Sequence, residues 1–122
     1  YPVIDLMESQ RAIKIKGGTM RLGAYDCKIK TGTKTFAAYR KKKISERHRH
    51  RYEVNNRYRN KLERNGMVFS GINSELGVVE TIEIPDHPWF VAGQFHPELK
   101  SRVNKAHPLF REFIRAAVKY RS

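Results

Sequence analysis

Residues 89–95 read Trp-Phe-Val-Ala-Gly-Gln-Phe (WFVAGQF), and the next three are His96, Pro97 and Glu98. A near-continuous apolar run of this length suits a strand buried on both faces. The polar triplet then falls where that strand leaves its sheet, the place where open α/β sheets gather their active sites. His96 and Glu98 are two apart, and Pro97 between them favours an extended backbone. Both side chains then project to one side, carboxylate beside imidazole. Such a carboxylate fixes the ring tautomer and leaves the other nitrogen as a base. A strand-end histidine capped by a neighbour has the same spacing, and spacing alone leaves the two readings open.

On either side of this stretch the pattern is a mixture of strands and helices. Met67 to Ile72 (MVFSGI) and Val78 to Ile84 (VVETIEI) read as antiparallel strands joined by a polar turn around Asn73 to Gly77, with Pro85 and Pro88 closing the second. A last helix begins at Pro108, a favoured first helical position. Its apolar face carries Phe110, Phe113, Ile114, Ala117 and Val118, with Arg111, Glu112, Arg115 and Lys119 opposite. Asn55 and Asn56 cap a short helix from about Arg57 to Asn65, which Gly66 ends. Arg47 to Val54 alternates Arg47, Arg49 and Arg51 on one side with His48, His50 and Tyr52 on the other, so a strand there has two chemically uniform faces. Upstream, Tyr1 to Met7 reads as a strand end or a loop leading from one. Gly17 and Gly18 begin a turn into an extended segment that reaches Ile29 and stops at Gly32, and Thr35 to Tyr39 suits one helical turn. The fold class is α/β, and fewer helices are present than a doubly wound domain normally shows.

Length and composition bound the rest. A chain of 122 residues, 39% hydrophobic, makes one small domain or a piece of a larger one. No apolar run approaches the roughly 20 residues of a membrane span. Tyr1 to Leu6 does not read as a signal peptide. One cysteine, Cys27, excludes both a disulfide framework and a four-cysteine zinc site, and a reducing, cytoplasmic setting is the default. No glycine flanks Cys27, so it is no nucleophile elbow and reads as a packed, inert thiol.

The net charge is +13, of which the run Arg40 to Arg51 (RKKKISERHRHR) contributes +6. Such a field implies an anionic partner: nucleic acid, nucleotide or acidic surface elsewhere in an assembly. The run reads three ways. It is a solvated basic face, or a phosphate-contacting strip with Tyr39, Tyr52 and Tyr58 to stack on bases, or it offers an arginine, Arg51, that pairs with a substrate carboxylate as a bidentate fork. His48 and His50 could share a metal, but no third ligand presents itself and the interleaved arginines repel cations, so no metal is expected.

Gly17 to Gly23 (GGTMRLG), Glu46 to Asn55 (ERHRHRYEVN), His87 to Val91 (HPWFV), Gln94 to Glu98 (QFHPE), Lys100 to Arg102 (KSR) and His107 to Phe110 (HPLF) together resemble, in order, the CTP synthase family. The matching region is the C-terminal part of its class I glutamine amidotransferase domain. QFHPE is shared loosely among class I amidotransferases, whereas GGTMRLG and ERHRHRYEVN are specific to CTP synthases. The resemblance implies a flavodoxin-like α/β fold, present over residues 1–122 only as its C-terminal portion. It also implies a glutaminase that hydrolyses L-glutamine to supply ammonia for the amination of UTP to CTP by an ATP-dependent amidoligase. By the motif, His96 is the general base and acid of a Cys-His-Glu triad, Glu98 orients it, and Arg51 holds the substrate glutamine. Thr33 to Ile44 corresponds to a mobile loop over the glutamine site. The nucleophile's Gly-x-Cys-x-Gly elbow and the amidoligase, with its ATP and Mg, match nothing here, so no cofactor is expected in this chain and no activity from it alone. The implied partners are glutamine and the remainder of the same enzyme, in a homotetramer, with no membrane. A small basic nucleic-acid-binding module using Arg40 to Arg51 is the alternative.

Overall fold

The computed structural model describes residues 1–7 and 20–121. Gly17 to Thr19 of the GGTMRLG segment lie outside the described residues. Among the described residues seven strands and three helices follow one another: β1 (Ile4–Leu6), β2 (Arg21–Ile29), α1 (Lys34–Tyr39), β3 (Lys43–His50), β4 (Tyr52–Val54), α2 (Arg59–Arg64), β5 (Val68–Asn73), β6 (Val78–Glu83), β7 (Val91–Gly93) and α3 (Pro108–Arg121). Short 3-10 turns cover Asn56–Tyr58 and Pro97–Lys100. Five strands form a sheet in the order β3-β2-β5-β6-β7, and β1 pairs with β4 in a separate ribbon. Every described pairing is antiparallel. The mixed α/β class is as expected, and the parallel ladder of a flavodoxin-like sheet does not lie within the described residues.

Local chemistry explains the elements. The Asn73 side chain accepts the Leu76 N–H at 2.8 Å, and Gly77, at φ 66°, returns its N–H to the Asn73 carbonyl, closing the β5–β6 hairpin. The expected Arg57–Asn65 helix is a 3-10 turn followed by α2. Asn55 caps the turn, its side chain accepting from Arg57 N–H, and Gly66, at φ 97°, follows the end of α2. His107 caps α3: its Nδ1 accepts the Leu109 N–H at 3.2 Å and its carbonyl accepts from Arg111.

Two expectations are overturned. Residues 89–95 are not a strand buried on both faces. Only Val91–Gly93 is strand, and it forms one edge of the sheet, with Ala92 and Gly93 exposed. β6 covers one edge of this strand, and among the described residues nothing pairs with the other. Phe95 alone of the run is fully buried, in a cluster with Ala38 and Leu109. Thr33 to Ile44 is also no loose loop. It holds α1 and the start of β3, with Thr33 capping α1 through the Phe36 N–H. Glu83 accepts the backbone N–H groups of Lys34 and Thr35 and the Thr35 hydroxyl, placing a carboxylate at the positive helix end. Ala38 on the same helix is 2% exposed. This segment is scaffold.

Candidate active site

His96 and Glu98 sit just past β7, where the chain crosses from that edge of the sheet to the opposite one. The outer edge of β3 receives them: the His96 N–H donates to the Arg47 carbonyl at 2.9 Å, and Lys100 donates its ammonium to the Ser45 carbonyl. Before the crossing, Gln94 donates its N–H to the Glu80 carbonyl on β6 at 2.9 Å. The backbone on both sides of His96 is thereby fixed by strands.

The expected pairing is present. Nδ1 of His96 lies 2.6 Å from Oε1 of Glu98, with the two side chains 43% and 56% exposed. A carboxylate oxygen only accepts, so Nδ1 carries the proton and, in the neutral ring, Nε2 keeps the lone pair. The hydrogen bond from His96 holds the Glu98 carboxyl below its usual range. Beside Pro97 an apolar groove of about 480 Å³ opens between β7 and α3, lined by Trp89, Val91, Phe95, Leu109, Phe110 and Phe113.

Arg51 is exposed at the bend between β3 and β4, four residues along the chain from the carbonyl that holds His96. Arg47 and Arg49 also face outward, while His48 is buried, so the expected two-faced strand holds as far as His50. At Arg51 the chain bends into β4 of the other ribbon, where Tyr52 is exposed and Glu53 buried. Tyr39 is not free to stack on a base. Its hydroxyl donates to Glu46 at 3.1 Å, and burial and then the Glu46 charge push it far above the usual tyrosine value. Cys27 is 1% exposed, and burial drives its thiol up to about 12, with Glu80 and Glu46 adding to the effect. A thiol so held is no nucleophile at neutral pH.

Two further His–Glu pairs lie inside, unforeseen from the sequence. His107 Nε2 meets Glu46 Oε1 at 2.8 Å, with both side chains at most 3% exposed. His48 Nε2 lies 2.8 Å from Glu80 Oε2, with both side chains fully buried. The second pair belongs to a larger cluster in which Arg21 Nη1 donates to Glu80 Oε1 at 2.7 Å and Glu53 Oε1 at 3.0 Å. Glu80 between Val79 and Thr81, in a strand rich in Val and Ile, is the sequence signal that could have exposed it. Among the described residues no three His, Cys, Asp or Glu side chains converge as metal ligands, and no helix is long and apolar enough to cross a membrane.

A family model for class I glutamine amidotransferases matches residues 3–116. The chain belongs to that family. Within it, the chain is similar to CTP synthases: it is 60% identical over 121 residues to the enzyme of Pelotomaculum thermopropionicum and 63% identical over 120 residues to that of Chlorobium phaeovibrioides. These matches cover 99% and 98% of the chain but only 22% and 20% of the relatives, so it spans about a fifth of their length. Among solved structures, the glutaminase domain of Trypanosoma brucei CTPS with bound acivicin superposes with a TM-score of 0.88 at 33% identity, over 98% of this chain and 47% of that one. The resemblance to CTP synthases holds over nearly the whole of the chain.

Proposed function

We propose that the chain is the His–Glu part of the glutaminase of a CTP synthase, which hydrolyses glutamine to supply ammonia for the ATP-dependent amination of UTP to CTP. The observation that carries this reading is the 2.6 Å contact between His96 Nδ1 and Glu98 Oε1 on an exposed turn. The nucleophilic cysteine belongs to the part of the domain outside these residues, since Cys27 is buried and held protonated. That thiol gives up its proton to His96 Nε2 and attacks the side-chain amide carbon of glutamine. His96 returns the proton to the departing nitrogen, which leaves as ammonia, and a thioester remains. In the second half His96 takes a proton from water as the oxygen attacks, and glutamate and the free thiol result. Glu98 keeps the ring oriented and stabilises its charged form. Arg51 pairs with the carboxylate of the substrate.

The rest of the protein then has a place to pack. Phe110, Phe113 and Ile114 on α3 are 40%, 52% and 57% exposed, and the groove against β7 continues that apolar face. A monomer seldom leaves such a patch open. The remainder of the amidotransferase domain covers it, and an amidoligase using ATP and Mg completes the enzyme as a tetramer. Alone, residues 1–122 are inactive and melt without cooperativity. A sharp melt of the lone monomer would contradict this packing.

The test uses the full-length protein. His96→Ala lowers glutamine hydrolysis by about a hundredfold or more, while Arg51→Ala chiefly raises the KM for glutamine. Normal glutamine kinetics in Arg51→Ala would sink the role given to that residue, and normal turnover in His96→Ala would sink the reading as a whole.

A further inference from the structure

The buried cluster behind the basic strand carries more hydrogen-bonding demand than neutral histidines can meet. Reading along it, Glu80 Oε2 lies 2.8 Å from His48 Nε2, His48 Nδ1 lies 2.7 Å from His50 Nε2, and His50 Nδ1 lies 3.0 Å from the Tyr52 carbonyl. The first contact is too poorly aligned for a regular hydrogen bond, but at 2.8 Å two facing lone pairs would repel, so a hydrogen lies between them. A carboxylate and a carbonyl offer only lone pairs, so His48 Nε2 and His50 Nδ1 each bear a hydrogen. The contact between the two rings needs a third. Two neutral imidazoles supply two.

Burial pushes the Glu53 carboxyl up, but it lies 3.5 Å from His50 Nδ1, on the far side of that ring from the inter-ring contact, so it cannot supply the missing hydrogen there. Arg21 donates to the other oxygen of Glu80 at 2.7 Å, which keeps that carboxylate ionised. His50 resists a charge: burial first, and then repulsion from a charged His48, hold it below the ordinary histidine value. The proton therefore belongs to His48, with His50 neutral and its hydrogen on Nδ1. Arg21 and the His48 imidazolium then face the two carboxylates Glu53 and Glu80, so the buried cluster is balanced. The other titratable group against it is Tyr25, edge-on to His48 with ring centroids 5.4 Å apart and under the Arg21 guanidinium. No other titratable group makes a described ring or polar contact with the His48 ring, whose remaining neighbour is the apolar Phe95 ring at 5.8 Å.

We propose that His48 is a buried imidazolium which, through neutral His50, positions the arginine at the adjoining corner for glutamine binding. His50 and the Tyr52 carbonyl bracket Arg51, so the inter-ring bond fixes the backbone that carries its guanidinium. Loss of the proton removes one of the three contacts and leaves a net buried negative charge. On the other side Glu80 accepts from Gln94 and His48 touches Phe95, so the same cluster abuts the segment ahead of His96. His48 and His50 are positioning residues. This inference deepens the glutaminase reading and rests on it.

Two measurements on the full-length protein test it. The first is independent of any activity: ¹⁵N spectra of histidine-labelled wild-type protein, assigned through His48→Gln and His50→Asn, count the protonated ring nitrogens. Three of the four are expected at neutral pH, and two of four would overturn the proposal. The second is the KM for glutamine set against kcat. In His48→Gln the KM is raised by about tenfold for a lost charge-assisted contact, while kcat changes little. A wild-type KM in His48→Gln, or a fall in kcat with KM unchanged, would overturn the positioning role even if three nitrogens are protonated. Arg51→Ala, tested alongside, reports separately on whether Arg51 binds glutamine at all.

Discussion

Among the described residues three histidine–glutamate pairs lie within 3 Å at nearly equal separations, 2.6 Å for His96–Glu98 and 2.8 Å for both His48–Glu80 and His107–Glu46, while His50–Glu53 is looser at 3.5 Å. Their surroundings differ completely. The first is about half exposed on a turn, and the other two are at most 3% exposed. An exposed pair in high dielectric contributes little to stability and is free to exchange its proton with a substrate. A buried pair is costly to form, but more costly to break, because the surviving partner becomes a lone charge away from water. The same two side chains therefore serve chemistry in one place and hold β3, β6 and α3 in register in the others. Distance does not distinguish the roles, but burial does.

Glu80→Ala should have the largest effect on this contrast. It leaves Arg21 and His48 without their shared carboxylate, and we expect a loss of about 3–5 kcal/mol in chemical denaturation of the full-length protein. A loss below about 1 kcal/mol would make the buried and exposed pairs equivalent. Next is Gly71→Ala on β5. A methyl group there would come 2.6 Å from Cys27 Sγ and closer still to Thr81 Oγ1, which implies overpacking worth about 1–3 kcal/mol with the catalytic pair untouched. Unchanged stability would mean the sheet yields more easily than a close-packed interior allows. The smallest effect belongs to Glu98→Gln. Because the Glu98 carboxyl sits below its usual value, its pairing adds stability only above the unfolded-state titration of a glutamate and loses it as pH falls through the folded value. For a group this exposed, denaturation midpoints of variant and parent should nearly coincide at neutral pH, and merge fully in acid. A large neutral-pH difference would show that the exposed pair is structural after all.

What the sequence disclosed follows the same division. His96 and Glu98 are two residues apart, and that spacing was enough to pair them, although the backbone from Pro97 to Lys100 is a 3-10 turn rather than the expected extended chain. The Arg/His alternation along β3, the β5–β6 hairpin and the Pro108 helix start are likewise short-range patterns, and all three are found. The buried pairs join residues 32 and 61 positions apart, so they depend on which strands neighbour one another. Glu80 on β6 reaches His48 on β3 across β2 and β5, which stand between them in the sheet order. Residues 89–95 misled for a related reason: apolar content signals that a strand will be covered, but not which residues cover it. Thr33 to Ile44 was read through resemblance as a mobile loop, whereas Glu83, half the chain away, anchors it as a helix.

The most direct test of this division of labour is one preparation of full-length His96→Ala, assayed for glutamine turnover alongside its denaturation midpoint. We expect turnover to fall by about a hundredfold or more while the midpoint stays with the parent. Retained turnover, or a midpoint falling as far as that of Glu80→Ala, would contradict it.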